Sequence, residues 1–393
     1  FHDMMRTFNT LSPSIEPRAT GHIPEQIEMA QTIIDNGYAY VKNGSVYFNT
    51  IKFAQENDVY GKLSGRKIED LLSETRELKN QGEKNHPSDF ALWIKADETH
   101  LMRWNSPWSV GFPGWHLECS AMSTKYLGKH FDIHGGGNDL KFPHHENEIA
   151  QNVGAYKNPP AKYWMHTNML LMNGRKMSKS DGNTITPQEL FSGDNPHVSK
   201  GYSPMVIRFF MLQAHYRSTL DIQDEALQAS EKGYRKLMET NTLLQALKHE
   251  GKYEPQADFI ATVEGLLQQM DESMNDDFNT AKAIARMMEL GSIVYKLHNK
   301  QLELKHLNEA TLAKLQTQFN AYIYDVFGLK NELEEQGNGG EVLDGIMQLV
   351  IDLRKSSRSS KDWATADKIR DSLKELNVQL KDGKEGTTWS VNN

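Results

Sequence analysis

The apolar positions of the first half of the chain repeat with two different periods. From Pro24 to Ile34, "PEQIEMAQTII" puts Ile27, Ala30 and Ile34 on one face at helical spacing and runs into Asn36-Gly37, which predicts a helix that stops there. "YAYVKNGSVYF" follows with two short runs of aromatic residues and valine around Asn43-Gly44, the turn pair of a tight hairpin. The stretch to about Trp108 is charged and reads as irregular, with "DFALWIK" and "SPWS" as isolated apolar anchors, and is expected to be an insertion. Alternation returns in "KHFDIHGGG", where Phe131 and Ile133 precede three glycines and, after Pro143, a helix. Strand, glycine turn and helix make half a unit of a nucleotide-binding α/β sheet. A second edge is predicted in "YWMHTNMLLMNGRKMSKS": a strand, a hairpin turning at Asn173-Gly174, and a polar loop.

After about Asp224 the spacing is helical. Leu227, Tyr234, Leu237, Leu244 and Leu247 form one stripe; Phe259, Val263, Leu266, Leu267 and Met270 form a second. Ile284, Met287 and Met288 form a third, and Leu312, Leu315, Phe319, Ile323 and Val326 a fourth. Four stripes predict a bundle. Glu334 to Gly340, "EEQGNGG", has linker composition, and two further helices and a glycine-containing tail follow it. No internal repeat or low-complexity tract is evident.

With 393 residues and 38% hydrophobic content, the chain has room for two to four domains of roughly 100–200 residues. It holds no apolar run of about 18 residues, so no membrane span is expected, and no charged-then-apolar leader opens it, so it is expected in the cytoplasm. The single cysteine, Cys119, excludes an internal disulfide framework. A net charge of -8 excludes a globally basic nucleic-acid coat and makes any RNA contact regional. The opening "FHDMMRTFNT" reads as the middle of a helix, which suggests a fragment.

Three segments carry chemistry. In "GGGNDLKFPHHENE", His144 and Glu148 are four apart and project from one face of the helix that Pro143 opens. Cys119, in "GWHLECSAM", adds a thiol, and thiolate, imidazole and carboxylate are all zinc donors, of which zinc takes four. His145, Glu146 and His116 are candidates for the fourth, as is a donor outside this chain. Taken alone, a lone cysteine and one His–Glu pair are more often structural. A zinc peptidase is excluded, because after His145-Glu146 a second histidine would have to stand at Ile149. The glycines, Gly136 among them, could let backbone approach a phosphate or ribose, with Asp139 accepting from hydroxyls. In "GRKMSKSDGN", Lys176 and Lys179 are three apart among small hydroxyl residues. Two mobile ammonium groups in a flexible loop suit a reaction in which charge builds on a leaving pyrophosphate.

Lys176 to Ser180 matches the signature loop of class I aminoacyl-tRNA synthetases. Together with "GWHLECSAM", "HFDIHGGGNDLKFPHHENEIAQ", "IRFFMLQAHYRS" and the ending "KDWATADKIRDSLKELNVQLKDGKEGTTWS", it makes the chain resemble the cysteinyl-tRNA synthetase family over nearly its whole length. The resemblance implies a zinc ion held by Cys119, His144 and Glu148 that binds the substrate thiolate, with Trp115 as an aromatic floor beneath the bound amino acid. It implies ATP, with Mg2+, bound by Gly136, Asp139 and Lys179, and Lys176 and Lys179 as the catalytic pair. The partners implied are cysteine tRNA, L-cysteine and ATP, acting on a monomer. Zinc prefers a soft thiolate to a hydroxyl, so it could separate cysteine from serine where shape alone reaches about 10²-fold.

The resemblance also implies a His-Ile-Gly-His type motif and a fourth, cysteine zinc ligand near the front, and this chain has neither; "TGHIPEQ" contains only His-Ile. The chain alone is therefore expected to activate cysteine poorly. "RKSSRSSKDW" gathers Arg354, Lys355, Arg358 and Lys361 beside Trp363, which suits phosphate contact and stacking on an anticodon loop. The rivals are a mycothiol-pathway cysteine ligase, and a non-catalytic tRNA-binding module.

The fold class expected is α/β: the second half of a class I Rossmann-like core with an inserted β-containing segment, then an α-helical bundle and a small C-terminal α domain. The boundaries expected are 1–28 for the tail of the first half of the catalytic fold and 29–111 for the insertion. The second half of the core, with zinc site and lysine loop, takes 112–190, and a stem-contact segment 191–224. The tRNA-binding bundle takes 225–335 and an anticodon-binding region 341–393.

Overall fold

The computed structural model describes residues 1–66, 83–248, 251–360, 362–376, 378–383 and 386–391. Asn43 and Gly44 both adopt the left-handed region, φ 53° and 85°, and so close the predicted hairpin of β1 (Ala39–Lys42) and β2 (Ser45–Phe48). All four residues of β2 are buried, because β2 is flanked on its other edge by β3 (Phe90–Lys95). The sheet runs β1-β2-β3-β5-β4, with β4 at Trp104–Asn105 and β5 at Val110–Pro113. "DFALWIK" is thus a central strand and not an isolated anchor. Its run of apolar residues lacks alternation because Leu92 and Trp93 are both fully buried, as in a strand covered on both faces. The boundary read at 111/112 falls inside β5.

Gly114 follows directly. A Cβ there would stand 1.9 Å from the Ala91 carbonyl oxygen, which belongs to the central strand β3 and cannot swing aside. Gly114→Ala is expected to cost about 3 kcal/mol, the upper end for overpacking. A urea titration checks this; an unchanged midpoint would show that the strand yields.

The helix Ile23–Asp35 lies on this sheet and ends at Asn36-Gly37 as its spacing predicts. Its buried face is Ile23, Gln26, Met29, Ala30 and Ile33, with the predicted Ile27 and Ile34 half-buried at its margin. The boundary read at 28/29 cuts this helix. Residues 1–28 are also split in packing: Ile23 belongs to the sheet core, whereas the Phe8 carbonyl accepts from Arg208 (2.7 Å), which also donates to the Phe327 carbonyl (2.6 Å).

β6 (Phe131–Gly137) and β7 (Ala161–Thr167) are parallel and joined by the helix His144–Tyr156, the crossover that a parallel pair requires. All three glycines are the end of β6 and pair with Met165, His166 and Thr167, so they form no turn; the turn is the short 3-10 segment Asn138–Lys141. The hairpin at Asn173-Gly174 joins β8 (Leu170–Met172) to β9 (Arg175–Lys176), and β10 (Leu220–Ile222) pairs parallel to β8.

The bundle consists of Asp224–Ala246, Ala257–Asn275, Thr280–His298 and Glu309–Ala321. The stripes are its core, except that Leu247, Phe259, Leu266 and Met288 are only partly buried and Val326 is 46% exposed. Glu334 to Gly340 lies inside the helix Glu332–Ser359 and is no linker; once a helix is nucleated, extending it across weak formers costs little per residue. After Trp363–Glu375 the tail is a hairpin of β11 (Val378–Gly383) and β12 (Gly386–Val391), so the C-terminal unit is not purely α.

Two main apolar cores result among the described residues. One unites the five-stranded sheet with Ile23–Asp35, Leu117–Leu127 and His144–Tyr156. The other unites the bundle with Met172, Ile222 and the helix Pro204–Leu212, and Met177 of the lysine loop packs on it. The loop therefore sits on the bundle's side, not with the 112–190 unit in which it was placed.

Candidate active site and metal centre

His145 to Ala155 are all buried, so the helix that begins at His144 carries its polar first turn into the protein. Glu148 is 1% exposed. Its Oε1 lies 3.0 Å from His144 Nε2 and its Oε2 3.5 Å from His134 Nε2 on β6. Neither oxygen accepts an aligned hydrogen bond among the described residues, an expensive state for a buried carboxylate. Glu118, Cys119 and His144 bring one ligand atom each within 4.8 Å of one another; so do His134, His145 and Glu148. The His144–Glu148 contact joins the two groups: of the three residues expected as ligands, Cys119 and His144 share one group and Glu148 stands in the other.

Burial and mutual charge set the electrostatics of these donors. Burial pushes the Cys119 thiol up, and Glu148 and Glu118 add to it. Burial raises Glu118 to about 7 and lowers His116 to about 4, the latter with help from His144. Glu148 holds His144 above its ordinary value, while burial holds His134 below its own. A bound cation inverts this logic by favouring thiolate, carboxylate and neutral imidazole together. One sulfur, one nitrogen and one oxygen donor around an orphaned carboxylate fit zinc.

Of the candidates for a fourth donor, Glu146 is engaged elsewhere: its carboxylate accepts from the Gly61 and Ser64 backbone amides (2.9 and 2.7 Å) and from Ser64 Oγ (2.9 Å). His145 uses Nδ1 on His166 Nε2 (2.8 Å). Among the described residues, His116 Nδ1 and Glu118 Oε2 are buried without a hydrogen-bond partner. Sequence reasoning passed over Glu118 and His134. Glu118 is adjacent to Cys119 and looks like an ordinary solvated helix residue, while His134 arrives from another element.

Trp115 is 42% exposed and precedes the helix that bears Cys119; its backbone also acts on His144. Gly136 is where it is for packing, since a Cβ would lie 2.7 Å from His145 Cε1. Asp139 is exposed in the 3-10 turn.

The lysine loop is ordered by Asn183, which sequence reasoning missed. Ser178 and Asn183 exchange backbone hydrogen bonds (3.2 Å each), and Asn183 Nδ2 donates to the Lys176 carbonyl (3.2 Å). Lys176 and Lys179 are exposed. Neither has a carboxylate partner among the described residues, and no contact joins them to Cys119, His144 or Glu148. Arg354, Lys355, Arg358, Ser359 and Thr387 line a cavity of about 250 Å³, with Trp363 56% exposed; Lys361 lies outside the described residues. A hollow of about 820 Å³ on the outer face of Ile23–Asp35 beside Trp104 has none of the metal-centre residues in its wall. Among the described residues no helix is long and apolar enough to cross a membrane.

Residues 1–232 match the family model described as the tRNA synthetases class I (C) catalytic domain, and residues 269–331 match the DALR domain. The chain is 47% identical over 391 residues to a cysteine–tRNA ligase of Parabacteroides distasonis, covering 100% of this chain and 78% of that protein. It is 47% identical over 393 residues to that of Porphyromonas gingivalis, with the same coverage. With the ligase of Chlorobaculum tepidum the identity is 43%, over 99% of this chain and 76% of the relative.

Proposed function

Since the chain belongs to the cysteine–tRNA ligase family of class I aminoacyl-tRNA synthetases, we propose that it joins L-cysteine to its cognate tRNA through a cysteinyl-adenylate, as a cytoplasmic monomer. The observation that carries the site assignment is Glu148, a buried carboxylate with no aligned hydrogen-bond donor, facing His144 beside Cys119. These three residues would hold zinc, which when bound supplies a soft Lewis acid that prefers the thiolate of cysteine to the hydroxyl of serine.

The chain's own residues supply the rest. Trp115 forms the floor under the amino acid, fixing it with its reacting carboxylate towards the nucleotide. Gly136 and Asp139 border the nucleotide, which enters as ATP with Mg2+. Lys176 and Lys179 close on the leaving pyrophosphate, where they meet charge that is larger in the transition state than in the ground state. Closure of the loop on substrate would bring them there. Attack of the cysteine carboxylate on the α-phosphate then depends on positioning and charge stabilisation. Arg354, Lys355 and Arg358 contact the tRNA backbone near Trp363, on which a base stacks.

Filter binding of the chain to cysteine tRNA, with the native or a swapped anticodon and across salt concentrations, tests the tRNA half of this reading. Binding at least roughly tenfold weaker for the swapped anticodon is expected, the loss of one or two base contacts. Equal affinity for both would overturn an anticodon-reading C-terminal half and favour a small acceptor, as in the mycothiol pathway.

A further inference from the structure

The loop between Ala257–Asn275 and Thr280–His298 turns on two successive non-glycine residues in the left-handed region, Asp277 at φ 59° and Phe278 at φ 53°. Such residues persist only where their surroundings over-determine them, and they cluster at functional sites. Here the surroundings are the segment after the helix Pro204–Leu212. Tyr216 donates its hydroxyl to Asp277 Oδ1 (2.6 Å), Arg217 Nε lies 2.7 Å from Oδ2, and Thr280 donates to the Leu212 carbonyl (2.6 Å). The same segment is pinned from its other side to the end of β7: the Asn168 amide donates to the Tyr216 carbonyl (2.9 Å) and its side chain to the Arg217 carbonyl (2.8 Å).

Arg217 is therefore held from behind through Nε, and its two terminal nitrogens have no partner among the described residues. It forms the wall of a cavity of about 210 Å³ together with Lys141, Asn138, Trp164 and His166. Lys141 has no carboxylate partner among the described residues, and no carboxylate among them lines the cavity. The cavity adjoins the metal centre, since His166 bonds His145, the neighbour of His144. The terminal nitrogens of Arg217, left over beyond its ion pair with Asp277, and the ammonium of Lys141 present donors to a polar hollow whose size matches one phosphate group.

We propose that this cavity is a phosphate subsite in which Arg217 and Lys141 take the oxygens of one phosphate group of a substrate, and that Asp277 is a positioning residue that aims Arg217 from the bundle. The inference rests on the ligase reading and adds a site to it. The phosphate comes either from the tRNA backbone or from ATP, and binding separates the two.

Filter binding of cysteine tRNA is to be measured with the full chain between about 50 and 200 mM salt, beside equilibrium dialysis of labelled ATP. Lys141→Gln and Arg217→Gln are each expected to weaken tRNA roughly fivefold at low salt and to reduce the slope of log affinity against log salt by about 0.7–0.9, one phosphate contact. Asp277→Asn is expected to weaken it roughly threefold alone and to add nothing on the Arg217→Gln background, whereas a merely structural loss would add. Weakened ATP with unchanged tRNA assigns the phosphate to the nucleotide. Lys141 is partly exposed, so unchanged affinity of Lys141→Gln for both ligands overturns the subsite. Additive effects of Asp277→Asn and Arg217→Gln overturn the positioning role. If the unsubstituted chain binds neither ligand, the ligase reading itself falls and the subsite with it.

Discussion

Glu148→Gln is expected to lower the affinity of the chain for zinc by about 10³-fold, beyond the 10–100-fold typical when only an outer partner of a ligand is lost. The amide has nearly the same shape, so packing of the buried first turn of His144–Tyr156 is kept. What disappears is one of two anionic donors, the other being the Cys119 thiolate, in a site where His144 binds as neutral imidazole. The thiol of Cys119 makes the effect larger: burial and the two nearby carboxylates hold it protonated, so its conversion to a ligand depends on the cation being bound firmly by the others. Titration against a chromophoric chelator reads the affinity, with far-ultraviolet circular dichroism to show that the helix content is retained. One zinc per chain held as tightly as before would mean that Glu118 or His134, and not Glu148, supplies the oxygen or nitrogen donor. Cys119→Ser provides the matching control, since a hydroxyl replaces the soft donor at the same position.

Lys179→Ala is expected to slow ATP-dependent attachment of cysteine to tRNA by about a further 10²–10³-fold from the low rate expected of the unsubstituted chain, the range for removing one preorganised donor to developing charge. The loss should fall on kcat more than on KM, because Lys179 stands in the open with no partner and meets the phosphates only when the loop closes. Its affinity for tRNA should stay within about twofold, because one exposed lysine far from the anticodon end contributes one phosphate contact at most. Lys179→Arg should restore part of the rate, since the charge returns on a bulkier, planar head. A Lys179→Ala chain with unaltered kcat would remove the loop from the chemistry.

What could be read from the sequence was local. Asn43-Gly44 and Asn173-Gly174 specify their turns by their own backbone preferences, and the His144–Glu148 spacing places both side chains on one face of any helix. The lysine loop was legible as a five-residue string, Lys176 to Ser180. Glu146 was misjudged as a possible ligand because its true partners, the amides of Gly61 and Ser64, lie more than eighty residues away in sequence. His134 was missed for the same reason: only the parallel pairing of β6 with β7 brings it over Glu148. The glycine-rich stretch from Glu334 to Gly340 has the composition of a linker yet is helical, because its neighbours on the C-terminal side decide its state. Phe90–Lys95 was read as an anchor because a strand buried on both faces has no alternation to display.

The division of the molecule into two cores has a practical consequence for anyone who grafts one ligase onto another. The candidate metal centre travels with the sheet core, while the lysine loop travels with the bundle, so a chimaera cut just ahead of the bundle at 224/225 would sever the loop from the packing that supports it. The clean seam is between Thr167 and Asn168, the residue whose amide and side chain already bind the bundle's side. A single seam does not suffice, for Phe8 and Asn9 are tied to Arg208 and Gly328 across the same divide. A transplant of the bundle therefore has two junctions, and one of them lies near residue 10.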